Sequence, residues 1–168
     1  MTFKMYALIF SDSHGCPQYI DEVIKRQNTE PDALIFLGDG LRDLSFCDTG
    51  KMPIYSVRGN CDFGAFYEDD ELFFELGGVK LFISHGHTYS VKSGYTVIAE
   101  KAARKGADAV LFGHTHILLS LCFDAGDRIG TAELQKPLCV FNPGSLREGY
   151  FGTLTVRGGK ILFSNAMV

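Results

Sequence analysis

Short apolar runs that stop at a polar, metal-competent residue recur along this chain, and they restrict its fold more than any other feature. Met5–Phe10 leads into Ser11-Asp12, Ala33–Leu37 into Gly38-Asp39, and Ile54–Val57 into Arg58-Gly59-Asn60. Val79–Ser84 ends at His85, and Val110–Phe112 ends at Gly113-His114. A strand that is apolar on both faces must be covered on both faces. Several such strands require a layered α/β arrangement, with their polar ends gathered along one edge.

The intervening segments supply the rest of that arrangement. Pro17 suits the first turn of a helix running to Asn28, with Ile20, Val23 and Ile24 at helical spacing. Glu71–Leu76, Gly77-Gly78 and Val79–Ser84 predict a β-hairpin. Ser93–Lys105 predicts a second helix, stopped at Gly106. Beyond Ile117 the pattern predicts antiparallel β-structure over Ile117–Asp124, Arg128–Leu134, Leu138–Phe141, Phe151–Val156 and Ile161–Ser164. Two sheets packed face to face with helices outside satisfy this order. There is no internal repeat or linker, so the expectation is one domain over residues 1–168.

Composition narrows the partners. Hydrophobic residues make up 46% of the 168, a globular balance, and the formal net charge is −4. No stretch of Lys and Arg forms a basic stripe, so no long nucleic acid is expected. The apolar N-terminus reads as a strand rather than a signal peptide, and no run is long enough to span a bilayer. Five cysteines without a CxxC pair suggest a reduced, cytoplasmic chain. The sheet edges permit a homo-oligomer without requiring one.

All five histidines fall in three clusters: Asp12-Ser13-His14, His85-Gly86-His87 and His114-Thr115-His116. In open α/β sheets, ligands bind outside the carboxyl ends of strands. The strand-end set is Asp12, His14, Asp39, Asn60, His85, His114 and His116. Seven N/O donors exceed what one first-row cation takes and suit two that share a carboxylate. Paired cations of this kind activate water and neutralise charge in displacement at phosphorus.

In order, Asp12-Ser13-His14, Gly38-Asp39, Gly59-Asn60, His85-Gly86-His87 and Gly113-His114-Thr115-His116 resemble the motifs of calcineurin-like metallophosphoesterases. The small size, Gly59-Asn60-Cys61-Asp62 and Asn142-Pro143-Gly144-Ser145 resemble the compact YfcE-like phosphodiesterase subgroup. The resemblance implies a four-layer αββα sandwich and a dinuclear phosphodiesterase of small phosphoesters, acting through a metal-bridging hydroxide. One cation would be held by Asp12, His14, Asp39 and His116. The second would be held by Asp39, Asn60, His85 and His114. Mn²⁺ is the first expectation, with Ni²⁺, Fe²⁺, Co²⁺ and Zn²⁺ as alternatives. The same fold resembles the retromer's small scaffold subunit, which makes a non-catalytic binding module the second expectation.

Where many family members carry a proton-donating histidine after the asparagine, this chain has Cys61, a weak donor. Diesters and acidic leaving groups are therefore expected over alkyl monoesters. Asn60 and His87 are the catalytic candidates. His87 is left over from the ligand sets, either to contact the phosphoryl group or donate a proton in place of the missing acid, or to support its neighbours. Asp43 and Asp62 either orient imidazoles or shape turns. Cys16 and Cys61 are semi-buried fillers or oxidation-sensitive thiols beside the metals. Arg58 suits a carboxylate partner, and Asn142–Ser145 suits a turn. Phe63, Phe66 and Tyr67 suit packing better than a stacking platform. Specificity is expected from the loops Leu41–Lys51, Asp62–Asp70 and Thr88–Ser93.

Overall fold

The computed structural model describes residues 4–168; Met1 to Phe3 at the head of the N-terminal run lie outside them. The elements in chain order are β1 (Lys4–Phe10), α1 (Pro17–Lys25), β2 (Ala33–Phe36), α2 (Leu41–Leu44) and β3 (Ile54–Ser56). Next come β4 (Glu71–Leu76), β5 (Val79–Ser84), α3 (Thr96–Lys105), β6 (Ala109–Leu111) and β7 (Leu119–Phe123). The chain closes with β8 (Arg128–Ile129), β9 (Ala132–Glu133), β10 (Leu138–Asn142), β11 (Tyr150–Arg157) and β12 (Lys160–Met167). One sheet runs β12-β11-β1-β2-β3 and the other β4-β5-β6-β10-β7.

The doubly apolar runs are explained by the layers on either side of them. Side chains alternate across a strand. In β1, Ala7 and Ile9 enter the core between the sheets, with Ile35, Leu81, Ile83, Leu111 and Phe141. Leu8 and Phe10 point the other way, onto Ile20 and Val23 of α1 and Leu41 of α2. On the second sheet, Phe82, Val110 and Val140 meet Ile98, Ala99 and Ala102 of α3. The result is helix, sheet, sheet, helix. Phe10, Phe36, Phe82 and Phe141 are fully buried, each worth about 1.5–3 kcal/mol of transfer free energy.

Some expected boundaries move, for local reasons. Helix α1 stops at Lys25, short of Asn28, and Gln27 turns back: its Nε2 donates to the Val23 carbonyl at 2.7 Å and its Oε1 accepts the Tyr6 hydroxyl at 2.7 Å. The Arg128–Leu134 strand is instead a tight hairpin, β8 and β9, folded at Gly130. The C-terminal strands are not a separate antiparallel unit. β10 lies parallel to β6, and β11 enters the first sheet antiparallel to β1. The expectation of wholly reduced cysteines is also corrected. Cys122 and Cys139 stand opposite each other in the β7–β10 register, with Cα atoms 4.0 Å apart, and form a disulfide. Cys16, Cys47 and Cys61 are free. No helix among the described residues is long and apolar enough to cross a membrane.

Candidate metal centre

The polar residues after β1, β2, β5 and β6 converge where the two sheets meet. Asp12, His14 and His116 each offer a ligand atom within 4.8 Å of the others, and so do Asp39, His85 and His114. Each triad draws on both sheets. A third group, His14, Asp39 and Cys61, links them. Asn60 stands alongside Cys61, exposed on the loop after β3, its Nδ2 donating to Cys61 Sγ at 3.3 Å, with Oδ1 the lone-pair atom of its amide.

The backbone at these positions is strained in a shared way. Six non-glycine residues among those described have positive φ, and five of them are Asp12 (55°), His14 (41°), Asp39 (58°), His114 (64°) and His116 (62°). Each such residue costs on the order of 1–2 kcal/mol. The strain persists because surrounding bonds fix it. The Asp12 amide donates to the Gly38 carbonyl at 2.9 Å and the His14 amide to the Asp39 carbonyl at 3.2 Å. The His114 amide donates to Asp12 Oδ2 at 3.0 Å. The loops are also pressed together. A Cβ at Gly59 would come within 2.0 Å of Asp39 Oδ1, and one at Gly113 within 1.9 Å of Ser11 Oγ. Only glycine admits that approach.

The donor set fits divalent cations on geometry as well as type. His85 is fully buried; its Nδ1 donates to the Leu37 carbonyl at 2.7 Å, which leaves Nε2 as the bare lone pair. That atom has no hydrogen-bond partner, although Asp39 Oδ2 lies 3.2 Å away. His116 Nε2 is 3.1 Å from Asp12 Oδ1, and His14 Nε2 is 3.4 Å from His116 Nε2. Two ligands about 2.1 Å from one cation, at ordinary angles, stand roughly 3.0–3.4 Å apart. The spacings match the edges of such a shell.

Electrostatics follow from this crowding. Burial would raise the Asp39 carboxyl, but the His85 ring and the Cys61 amide outweigh it and hold it well below the usual carboxylate range. Burial opposes charge on His85, while Asp39 and Asp12 more than offset it and raise the imidazole above its ordinary value. Burial, then His85 and Lys92, push His114 down to about 4. His114 is therefore neutral at pH 7 and has a lone pair to offer.

Supporting residues surround these donors. Asp62 accepts the backbone N–H groups of Asp39, Gly40, Leu41 and Gly59 at 2.7–2.9 Å. Asp43 accepts the Ser13 hydroxyl at 2.5 Å and the Gly15 amide at 2.8 Å. Both therefore hold loops, and Asp43 does so from within α2 rather than from a turn. Arg58 pairs with Asp70 at 2.8 Å. Asn142 Nδ2 donates to the Gly113 carbonyl at 3.0 Å, and the Ser145 hydroxyl donates to the Asp12 carbonyl at 3.0 Å, so that turn clamps two ligand loops. The roles of Ser13 and Ser145 carried no sequence signal beyond their place beside the motifs. His87 sits with its ring 5.5 Å from His85 and 6.2 Å from His114, its Nδ1 buried without a partner. Burial and then His85 lower its pKa. Cys61 is exposed, and Phe63, Phe66 and Tyr67 are 90%, 85% and 81% exposed, so the packing expectation for these three rings is corrected.

Residues 5–157 match the family model of the calcineurin-like phosphoesterase superfamily domain. The chain belongs to the calcineurin-like phosphoesterase superfamily. Its relatives in that superfamily include the probable metallophosphoesterase YsnB of Bacillus subtilis, 34% identical over 143 residues, which span 85% of this chain and 76% of YsnB. A predicted phosphoesterase from Streptococcus pneumoniae shares the calcineurin-like fold with a TM-score of 0.75 at 22% identity, covering 99% of this chain and 91% of that one. Vacuolar Protein Sorting 29 from Cryptosporidium parvum does so with a TM-score of 0.70 at 14% identity, covering 99% and 98%.

Proposed function

We propose that this calcineurin-like phosphoesterase hydrolyses small phosphodiesters at a dinuclear centre. The observation that carries the reading is the pair of donor triads, Asp12/His14/His116 and Asp39/His85/His114, set side by side with Asp39 close to both. Two divalent cations, Mn²⁺ first among them, would be held by Asp12, His14, Asp39 and His116 and by Asp39, Asn60, His85 and His114. When bound, they supply Lewis acidity, lowering the pKa of water and neutralising phosphoryl charge.

The chain's own residues do the rest. Asp39 stays ionised and turns one oxygen, Oδ2, toward His14 at 3.7 Å and His85 at 3.2 Å, while its Oδ1 accepts the Cys61 amide at 2.7 Å, which fixes its rotation. The Leu37 carbonyl holds His85 in the tautomer that presents Nε2. Asn60 and His87 border the donors as neutral groups able to hydrogen-bond phosphoryl oxygens. At the position suited to protonating a leaving group stands the Cys61 thiol, whose pKa is raised by burial and then by Asp39. A neutral thiol donates weakly. Diesters and acidic leaving groups are therefore the favoured substrates.

The test is turnover of bis-p-nitrophenyl phosphate by chelator-stripped protein on return of Mn²⁺, with p-nitrophenyl phosphate alongside. Restored activity that favours the diester supports the reading. Silence with Mn²⁺, Ni²⁺, Co²⁺ and Zn²⁺ alike would move the weight to a non-catalytic scaffold, the second reading that the Vps29 fold likeness leaves open.

A further inference from the structure

Two hollows open beside the donor triads and meet at Arg42, Cys61 and Asp62. The first, about 430 Å³, begins at His14 and Asp39 and is walled by Phe46. The second, about 400 Å³, continues past Phe63 and Tyr67. These rings are held out in solvent: Phe46 is 66% exposed, and Phe63 and Tyr67 are more so. The Arg42 guanidinium lies 5.9 Å from the centre of the Phe46 ring. A groove that starts at a phosphoryl site and is lined by exposed aromatic rings around one cation is built for a flat, π-rich, anionic ligand.

We propose that this groove seats the nucleobase of a small phosphodiester while its phosphoryl group lies at the donor triads, with Phe46 and Phe63 as stacking surfaces and Arg42 beside them. The proposal deepens the phosphoesterase reading and rests on it. The size of each hollow suits one nucleotide unit. A polymer is disfavoured by the net charge of −4 and by the single arginine in the groove. Stacking is tolerant of base identity, so the groove selects for an aromatic substituent rather than for one base.

Calorimetry on the full-length Mn²⁺-loaded protein, titrated with AMP and separately with ribose 5-phosphate, reads the proposal directly. AMP is expected to bind at least about tenfold more tightly. Phe63→Ala and Phe46→Ala, both at exposed sites, should bring the two ligands to within about twofold by weakening AMP alone. Equal affinities in the wild-type protein, or an AMP preference that survives both substitutions, overturn the proposal. Substitutions that change self-association in sedimentation but leave AMP affinity intact also overturn it, and assign the rings to protein docking. Hydrolysis of bis-p-nitrophenyl phosphate separates the two levels. Turnover without AMP preference sinks only the groove, whereas no turnover and no binding of either ligand sinks the phosphoesterase reading with it.

Discussion

The Asp62 carboxylate accepts the backbone N–H of Asp39 at 2.7 Å, and with the same two oxygens it accepts Gly40, Leu41 and Gly59. One side chain thus fastens the loop after β2 to the loop after β3 and holds the backbone that carries the Asp39 carboxylate. Asp62→Ala is expected to cost about 3 kcal/mol in urea unfolding, because buried amides lose a charged acceptor. Asp62→Asn retains one acceptor oxygen and should lose roughly half as much. Equal stability of the alanine variant would show that water replaces the carboxylate.

Cation binding should stabilise the fold. Mn²⁺ at about 100 times its dissociation constant is expected to add about 2.7 kcal/mol to unfolding free energy, measured by denaturation with and without chelator. His85→Ala and Asp39→Ala should each abolish most of that increment and lower diester turnover at least about 100-fold. A metal increment that survives both substitutions would place the cations elsewhere.

Restoring an acid at position 61 should widen the substrate range. Cys61→His is expected to raise turnover of an alkyl phosphomonoester on the order of 10²-fold while changing p-nitrophenyl diester turnover little, since that leaving group needs no proton. Parallel gains on both substrates would mean that the substitution acts on the cations and not on the leaving group.

Cys47 should resist alkylation. Burial, and then the Asp21 carboxylate, push its thiol up to about 11, and the Pro17 and Asp43 carbonyls both lie within reach of its single S–H. The thiolate is the reactive form. At pH 8 its modification by iodoacetamide, followed by peptide mass spectrometry, should run about 100-fold slower than that of an unperturbed thiol and accelerate as pH rises toward 11. Rapid labelling at pH 8 would show that the segment around α2 opens.

Much of this was legible because it is local. Asp12, Asp39, His85 and His114 could be read because each ends a run of apolar residues, and such a run can only be a covered strand. The four layers could be read from the same runs. What could not be read depends on register and on distant loops. Nothing near Cys122 or Cys139 announces that β7 and β10 place them face to face. Helix α2 has only four residues, and its start is fixed by Asp62, about twenty positions away, through the Gly40 and Leu41 amides. Phe63, Phe66 and Tyr67 read as packing because clustered aromatic rings usually are buried; only the fold shows that their loop turns outward.

Both donor triads straddle the two sheets: Asp12 and His14 follow β1 and face His116 beyond β6, while Asp39 follows β2 and faces His85 and His114 from the other sheet. Neither sheet alone owns a complete set. A chain interrupted anywhere before β6, or a folding intermediate with one sheet formed, lacks at least one member of each triad. Tight cation uptake would thus be a readout of finished assembly, and metal captured during refolding would mark the moment at which the two halves lock.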